Sequence, residues 1–222
     1  MMINRIFRFL HRQIFGRFDE YLNSCHGILH IGANTGQERD HYQALGLHVV
    51  WVEPIPSIYD TLQRNVREYA KQRAIMALVA DHDDQNITLN VASNGGASSS
   101  IFAMAGHKDL WPDVHYVDQM TLKSVTLPTL VQRENIDLSN YDVLLLDTQG
   151  AEFPILKGAE SLLKNFRFIQ VEAADFEAYA GAAKRGVIVD YLDTFGFRLK
   201  REQAIAKSNA IGGYFDLLFE RR

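Results

Sequence analysis

The chain has 222 residues, of which 47% are hydrophobic and 23% charged, and its formal net charge is −4. These values are typical of a soluble globular protein with one large core, and the negative charge argues against nucleic acid as the main partner. Cys25 is the single cysteine, so no intrachain disulfide can form and a cytoplasmic location is expected. Because apolar runs of about 18 residues are missing, the sequence predicts no membrane span.

Residues 1–24 are predicted to form a basic amphipathic helix. Apolar residues recur at helical spacing, and four arginines precede the first acidic residue: Arg5, Arg8, Arg12 and Arg17. Such a helix commonly covers a sheet face of its own domain or contacts a dimer mate, which is the interpretation we favour. The alternative is a peripheral contact with an anionic inner-membrane surface or with a larger synthase.

Residues 27–53 carry the pattern of a cofactor-binding β–α–β unit. A strand over 27–32 leads into Gly32-Ala33-Asn34-Thr35-Gly36, a helix is expected over 36–46, and a strand over 48–53 ends in Glu53. The glycines allow close backbone approach to a ligand, and an acid at the tip of the second strand accepts hydrogen bonds from a ribose. The alternative is a simple turn whose glycines serve packing.

The spacing of the two glycines indicates which cofactor is bound. A dinucleotide fingerprint reads G-x-G-x-x-G, because a pyrophosphate sits on the helix N-terminus. The spacing here is Gly32-x-x-x-Gly36. It suits a ligand without phosphates, such as S-adenosylmethionine.

The rest of the chain continues the alternation of strands and helices. The predicted elements are helix 56–72, strand 74–80, strand 87–91, helix 128–135, strand 142–147, helix 151–164, strand 166–172, helix 184–195, strand 197–206 and strand 214–220. The fold class is therefore α/β: a Rossmann-like, mostly parallel sheet with a C-terminal antiparallel hairpin, formed by one domain over 25–222. The glycine- and serine-rich segment 93–118 is expected to be a long loop that closes over an acceptor.

Four stretches resemble the FkbM family of S-adenosylmethionine-dependent methyltransferases. They are His30 to Gly36, Val52-Glu53-Pro54, Ser98-Ser99-Ser100 and Asp142 to Gly158, and the most specific part is Leu146-Asp147-Thr148-Gln149-Gly150-Ala151-Glu152 with Leu156-Lys157-Gly158. The resemblance implies a class I methyltransferase fold, S-adenosylmethionine as cofactor and methylation of a hydroxyl on a sugar, glycan or natural product. Two positions depart from the family pattern.

The first departure is His30, where the family commonly has an acid, and the second is Leu127-Pro128, where it commonly has Leu-Asp. The histidine could weaken the contact with the cofactor's ammonium group, which a carboxylate would help to hold. Pro128 is still a good first-turn residue for the predicted helix.

In an open α/β sheet, ligands bind outside the carboxyl ends of the strands. The candidate cofactor-binding residues are His30, Gly32, Ala33, Asn34, Gly36, Glu53, Pro54, Asp81 and Asp147. Asp81 follows the third strand, where this class usually places a side chain at the adenine edge; alternatively it only opens a polar turn.

Methyl transfer to an alcohol needs alignment and proton removal. Asp147 and Glu172 close strands that should be neighbours and could share the role of base, because paired carboxylates raise one another's pKa. Asp147 could instead cap the next helix. His107 and His115, in the long loop, are the best-placed imidazoles, although each alone is more often a packed or surface residue. The acids could bind Mg²⁺, but no dense acidic motif demands a metal, and none is predicted.

Two other functions compete with the methyltransferase. A nucleotide-cofactor oxidoreductase is disfavoured by the missing third glycine and by the terminal hairpin. A catalytically silent adenosyl-binding module stays open because of His30. The expected partner is a small-molecule or glycan acceptor.

Overall fold

The computed structural model describes residues 18–222. Residues 1–17 of the helix predicted over residues 1–24, with its proposed membrane or dimer contact, lie outside the described residues. Phe18, Tyr21 and Leu22 pack into the core, and Asp19–Ser24 forms a 3₁₀ helix. The Tyr21 hydroxyl donates to Gln170 Oε1 at 2.7 Å, so this short helix is fixed against the middle of the sheet.

The described residues form two sheets and seven α-helices. The strands are β1 (Gly27–Ile31), β2 (His48–Glu53), β3 (Gln72–Met76), β4 (Leu78–Val79), β5 (Asn86–Ala92), β6 (Tyr116–Val125), β7 (Val143–Leu146), β8 (Phe168–Ala174), β9 (Phe197–Ser208) and β10 (Gly212–Arg221). The helices are α1 (Arg39–Ala44), α2 (Pro56–Val66), α3 (His107–Leu110), α4 (Leu127–Arg133), α5 (Glu152–Gly158), α6 (Glu160–Leu163) and α7 (Arg185–Thr194), and a second 3₁₀ helix covers Leu138–Asn140.

The larger sheet has seven strands in the order β3-β2-β1-β7-β8-β10-β9. The first five are parallel, and β10 is antiparallel to both β8 and β9. The strand order changes direction between β1 and β7, which is the point where α/β sheets bind ligands. The predicted mostly parallel sheet with a C-terminal antiparallel hairpin is therefore confirmed.

Alternate residues of the parallel strands pack on opposite faces of this sheet. Leu29 and Ile31 lie on the face covered by α4, α5 and α7, whereas Ile28 packs with Phe18 and with residues of α1 and α2. The strands β1 and β7 are buried along their whole length. Burial on both faces explains their continuous apolar sequence and stabilises the sheet by about 1.5–3 kcal/mol for each large side chain.

The segment 93–118 is less irregular than predicted. It contains α3 and the start of β6, a ten-residue strand that the sequence analysis missed and that pairs antiparallel with β5. Half of the residues of β6 are exposed and only its last two are buried, so no long apolar run marks it. Three predicted helices are also shorter than expected: 36–46 becomes α1, 56–72 becomes α2, and 151–164 divides into α5 and α6. No helix within residues 18–222 is long and apolar enough to cross a membrane.

Candidate active site

The turn after β1 lies directly against the end of β7. The backbone N–H groups of Gly32 and Ala33 donate to the carbonyl oxygen of Val52 at 2.9 and 3.0 Å. Gly32 has φ +85°, and a Cβ at this position would lie 1.8 Å from the carbonyl oxygen of Asp147. Glycine is therefore needed at position 32 by the fold itself, and the cofactor turn touches the backbone of the candidate catalytic residue.

The second glycine of the motif also contacts the protein's own chain. Gly36 has φ +67°, and a Cβ there would lie 2.8 Å from Cδ1 of Leu62 in α2. The Asn65 side chain in the same helix donates to the carbonyl oxygen of Thr35 at 2.7 Å. Both glycines let the turn pack tightly, and this tight packing fixes the turn between β7 and α2.

Asn34 connects this turn to the segment 93–118. Its φ is 45°, a left-handed conformation that asparagine tolerates better than most residues. Its Oδ1 accepts from the Thr35 backbone N–H at 2.8 Å, and its Nδ2 donates to the Gly95 carbonyl oxygen at 3.1 Å. The predicted acceptor-covering segment is thus anchored on the predicted cofactor turn.

Glu53 is a buried carboxylate with an exposed fraction of 4%. Its Oε2 accepts from the Asn34 N–H and its Oε1 from the Ile55 N–H, each at 2.9 Å, across the half-buried Pro54. Burial raises the pKa of Glu53 to about 7, against the lowering effect of these two hydrogen bonds. Each carboxylate oxygen keeps a free lone pair, so Glu53 can still accept from the hydroxyls of a ribose. The residues at this strand end therefore fit an adenosine ligand.

His30 lies in the middle of β1 and is buried. Its ring centroid is 5.0 Å from that of Trp51 and 6.3 Å from that of Tyr42. Burial lowers its pKa to about 3, and its Nδ1 has no hydrogen-bond partner. The imidazole is neutral at physiological pH and supplies no negative charge for an ammonium group.

The prediction that Asp81 follows the third strand of the main sheet is wrong: that strand, β3, ends at Met76, and Asp81 comes after β4, which belongs to the smaller sheet. The Oδ1 atom of Asp81 lies 3.0 Å from Nδ1 of His82. The backbone here touches the end of α5, because a Cβ on Gly158 would lie 2.6 Å from the carbonyl oxygen of Ala80. This close approach accounts for the glycine in Leu156-Lys157-Gly158. The contact places the C-terminal end of α5 next to Asp81, the residue predicted to lie at the adenine edge of the cofactor.

Asp147 and Glu172 lie on adjacent strands, as predicted: Asp147 directly follows β7, whereas Glu172 lies within β8, which continues to Ala174. Strands β7 and β8 pair in parallel with Leu146 opposite Val171. The carboxylates share one donor: Nε2 of Gln149 lies 2.8 Å from Asp147 Oδ1 and 2.6 Å from Glu172 Oε2. The pKa of Glu172 is held well above its usual range by burial and by the neighbouring Asp147. A carboxylate with a raised pKa is a suitable general base near neutral pH.

Three residues that the sequence analysis did not single out complete this site. The Tyr179 hydroxyl donates to Gln149 Oε1 at 2.8 Å, and the Ser100 hydroxyl donates to the Gln149 carbonyl oxygen at 2.6 Å. Gln149 and Ser100 lie within motifs that carry the family resemblance, which was the available signal. Tyr179 lies in a segment without a predicted element, so its role was not visible in the sequence.

Glu152 begins α5 and supports the turn before it. Its Oε1 accepts from the Thr148 N–H at 2.8 Å, and its Oε2 accepts from the Gly150 N–H at 2.9 Å. Burial raises its pKa to about 7. Both carboxylate oxygens of Glu152 are thus bonded to backbone groups around Gln149.

The two candidate histidines lie in different environments. His107 is buried, with its ring centroid 4.7 Å from that of Trp111 and 5.3 Å from that of Tyr179. Burial lowers its pKa to about 4, and its Nδ1 has no hydrogen-bond partner. His115 is exposed, and its Nδ1 lies 3.2 Å from the carbonyl oxygen of Asp113.

The acids of the site are not arranged as a metal centre. Within residues 18–222, no group of three or more histidine, cysteine, aspartate or glutamate side chains is placed to hold a metal ion. The carboxylate pair is bridged by an amide instead.

The fold and the site define a class I S-adenosylmethionine-dependent methyltransferase. The model of the methyltransferase FkbM domain matches residues 30–199. The chain belongs to the FkbM methyltransferase family, as the sequence motifs indicated. The expectation of a methyltransferase is confirmed, and the oxidoreductase and the catalytically silent module are set aside.

Similar proteins support the same class. The 2-O-methyltransferase NoeI of Sinorhizobium fredii is 24% identical over 177 residues, which cover 76% of this chain and 71% of NoeI. Magnesium protoporphyrin IX methyltransferase (ChlM) from Synechocystis PCC 6803, with bound S-adenosylmethionine, aligns with a TM-score of 0.52 at 14% identity over 96% of this chain and 80% of its own. Streptococcus pneumoniae Sp1610, also solved with S-adenosylmethionine, aligns with a TM-score of 0.52 at 11% identity. The alignment covers 93% of this chain and 72% of Sp1610. At these identities the two structures show a shared fold.

Proposed function

We propose that this methyltransferase transfers a methyl group to a hydroxyl of a sugar, glycan or natural product. The observation that carries the proposal is the carboxylate pair of Asp147 and Glu172, which lies at the strand ends beside the Gly32 turn. A base is needed for an alcohol, because its proton must leave as the new bond forms. NoeI, a 2-O-methyltransferase by name, supports oxygen as the accepting atom.

The cofactor-binding residues in this proposal surround the turn after β1. Glu53 accepts from the ribose hydroxyls, while Gly32, Ala33, Asn34 and Gly36 shape the turn and Pro54 closes it. Asp81 contacts the adenine edge. His30, which precedes the turn, packs against the rings of Tyr42 and Trp51 and so stabilises the start of the turn. S-Adenosylmethionine supplies a methyl carbon activated by the adjacent positively charged sulfur.

The chain's own residues orient the acceptor and remove its proton. Asp147 and Glu172 accept a hydrogen bond from the acceptor hydroxyl and take its proton while the carbon–oxygen bond forms and the carbon–sulfur bond breaks. Their negative charge would attract the positive sulfonium of the bound cofactor and so favour alignment of the reacting atoms. We assign the base to this pair rather than to His107, which is packed between aromatic rings, or to the exposed His115.

We also propose that the protein acts in the cytoplasm. Cys25 is half-buried, and burial raises the pKa of its thiol to about 11. The thiol is therefore inert at neutral pH, as suits a structural cysteine in a reducing compartment.

A direct test uses S-adenosylmethionine labelled with ¹³C in its methyl group and a panel of monosaccharides, oligosaccharides and hydroxylated polyketides. The proposal expects a new O-methyl resonance in the product of at least one acceptor. The Asp147→Asn variant is the matched control and should form little of it. Methylation of nitrogen or carbon in place of oxygen would contradict the proposal.

A further inference from the structure

We propose that Gln149 is a positioning residue for methyl transfer, whose side-chain amide holds the carboxylates of Asp147 and Glu172 side by side. One nitrogen donates to both acids, at 2.8 and 2.6 Å. An amide nitrogen has two hydrogens, so each carboxylate receives one of them. The role of the pair in catalysis rests on the proposed function, whereas the contact itself does not.

The orientation of this amide is fixed from its other end. The Tyr179 hydroxyl donates to Gln149 Oε1 at 2.8 Å, and Tyr179 is only 1% exposed. Burial keeps the pKa of this tyrosine above its usual range, so its hydroxyl stays protonated and can donate. With the amide oxygen facing a donor, the amide nitrogen must face the two acceptors.

The backbone of Gln149 is held just as firmly. Its φ is +55°, a left-handed conformation that costs a glutamine free energy and persists only where the surroundings enforce it. Ser100 donates to its carbonyl oxygen at 2.6 Å, and Glu152 accepts from the N–H groups of the residues on either side, at 2.8 and 2.9 Å. Together with the Tyr179 contact, four hydrogen bonds thus place one side chain between two acids.

The amide matters because Glu172 is surrounded by acidic groups. Asp147, Asp216 and Glu152 all oppose its ionisation, and the hydroxyls of Tyr179 and Tyr214 lie near it. A donor bonded to the Glu172 carboxylate favours its charged form. Gln149 therefore offsets part of the rise in the pKa of Glu172, so that this acid gives up its proton at a lower pH than burial among the other acids alone would allow.

The test measures the titration of the pair directly, without any acceptor. The full chain is labelled with ¹³C at its Asp and Glu carboxyl carbons and titrated by NMR, with Asp147→Asn and Glu172→Gln used for assignment. The Gln149→Met variant, similar in length but without donors, should raise the higher titration midpoint of the pair by roughly one pH unit. The low-pH limb of kcat should move in the same direction by the same amount.

The matched control is Gln72→Met. Gln72 is also a buried glutamine whose side-chain amide makes two hydrogen bonds: it accepts from Trp51 Nε1 at 3.1 Å and donates to the backbone carbonyl oxygen of Arg39 at 2.9 Å. Its loss should lower the melting temperature but leave the midpoint of the pair unchanged. Tyr179→Phe removes a single hydroxyl and should raise the midpoint by a smaller amount, which provides a milder variant should Gln149→Met fold poorly.

A midpoint that stays at the wild-type value in both Gln149→Met and Tyr179→Phe would overturn the inference and leave Gln149 as a stabilising residue only. A raised midpoint supports the positioning role whether or not an acceptor is methylated. If the midpoint rises while no hydroxyl acceptor reacts, the positioning of the pair stands and O-methylation is the part that fails.

Discussion

Replacing Glu53 should damage the fold as well as cofactor binding, because this carboxylate holds two backbone groups. In the wild-type protein the N–H groups of Asn34 and Ile55 each donate to the Glu53 carboxylate at 2.9 Å. In Glu53→Ala both groups lose their acceptor. An unsatisfied buried donor costs about 1–3 kcal/mol, so the variant should lose roughly 2–6 kcal/mol of stability. For a chain of this size, that corresponds to a melting temperature lower by roughly 5–20 °C.

The Glu53→Gln variant separates the two effects better. Its amide keeps one acceptor oxygen but turns a donor toward the second N–H group, so the stability loss should be about half that of the alanine variant. Its affinity for S-adenosylhomocysteine should fall about 10-fold or more, the equivalent of one lost hydrogen bond of about 1.4 kcal/mol.

The assay combines thermal melts with calorimetric titration of S-adenosylhomocysteine at pH 8, above the pKa of about 7 that burial gives Glu53. Glu68→Ala, at a side chain that is 81% exposed, is the control and should change neither value. A Glu53→Ala protein that melts within a degree or two of the wild type would refute the reasoning.

Three further predictions test the packing, the electrostatics and the segment 93–118. Gly32→Ala places a Cβ 1.8 Å from a backbone carbonyl oxygen and should lower the free energy of unfolding, measured in urea, by at least about 3 kcal/mol. Gly46→Ala is the control, because Gly46 has a similar φ of +72° but nothing within 4 Å, and it should lower the same quantity by only about 1 kcal/mol. Equal losses in the two variants would show that the contact at position 32 is not formed. Burial raises the pKa of Glu53 and Glu152 to about 7, so the native state binds protons at these residues more tightly than the unfolded state does. The unliganded protein should therefore melt at a higher temperature at pH 5 than at pH 8. A melting temperature that rises between pH 5 and pH 8 would contradict this prediction. In hydrogen-exchange measurements the backbone amide of Ser100, which donates to the Asn90 carbonyl oxygen at 3.1 Å, should exchange slowly without ligand. The amides of residues 111–115 should exchange more slowly once cofactor and acceptor are added. Fast exchange at Ser100 would show that the segment 93–118 is not anchored.

The middle of the central sheet could be predicted because β1, β2, β7 and β8 are buried along nearly their whole length and read as apolar runs. The adjacency of Asp147 and Glu172 followed from the same reasoning, since parallel strands end at one edge of the sheet. The strand β6 could not be found in this way, because half of its residues are exposed and only the last two are buried. Helix α1 is shorter than the predicted 36–46 because the Gly32–Gly36 turn is followed by further turns before Arg39.

The finer geometry of the site depends on contacts that the sequence pattern does not encode. Gln149 bridges the acids only because its backbone is left-handed and because Tyr179, 30 positions away, holds its amide. The glycine at position 32 was read as room for a ligand, but its missing side chain makes room for the Asp147 carbonyl. Such requirements arise between strands and become visible only when the sheet is assembled.

The central claim is that the Asp147 and Glu172 pair performs methyl transfer to oxygen. The most direct measurement compares turnover of the wild type, Asp147→Asn and Glu172→Gln on the acceptor found in the labelled-methyl screen, with S-adenosylhomocysteine affinity and melting temperature measured on the same samples. We predict that turnover falls about 100-fold or more in each variant, the usual scale for loss of a general base, while affinity and melting temperature change little. Near-normal turnover in both variants, or losses that follow a lowered melting temperature, would contradict the account.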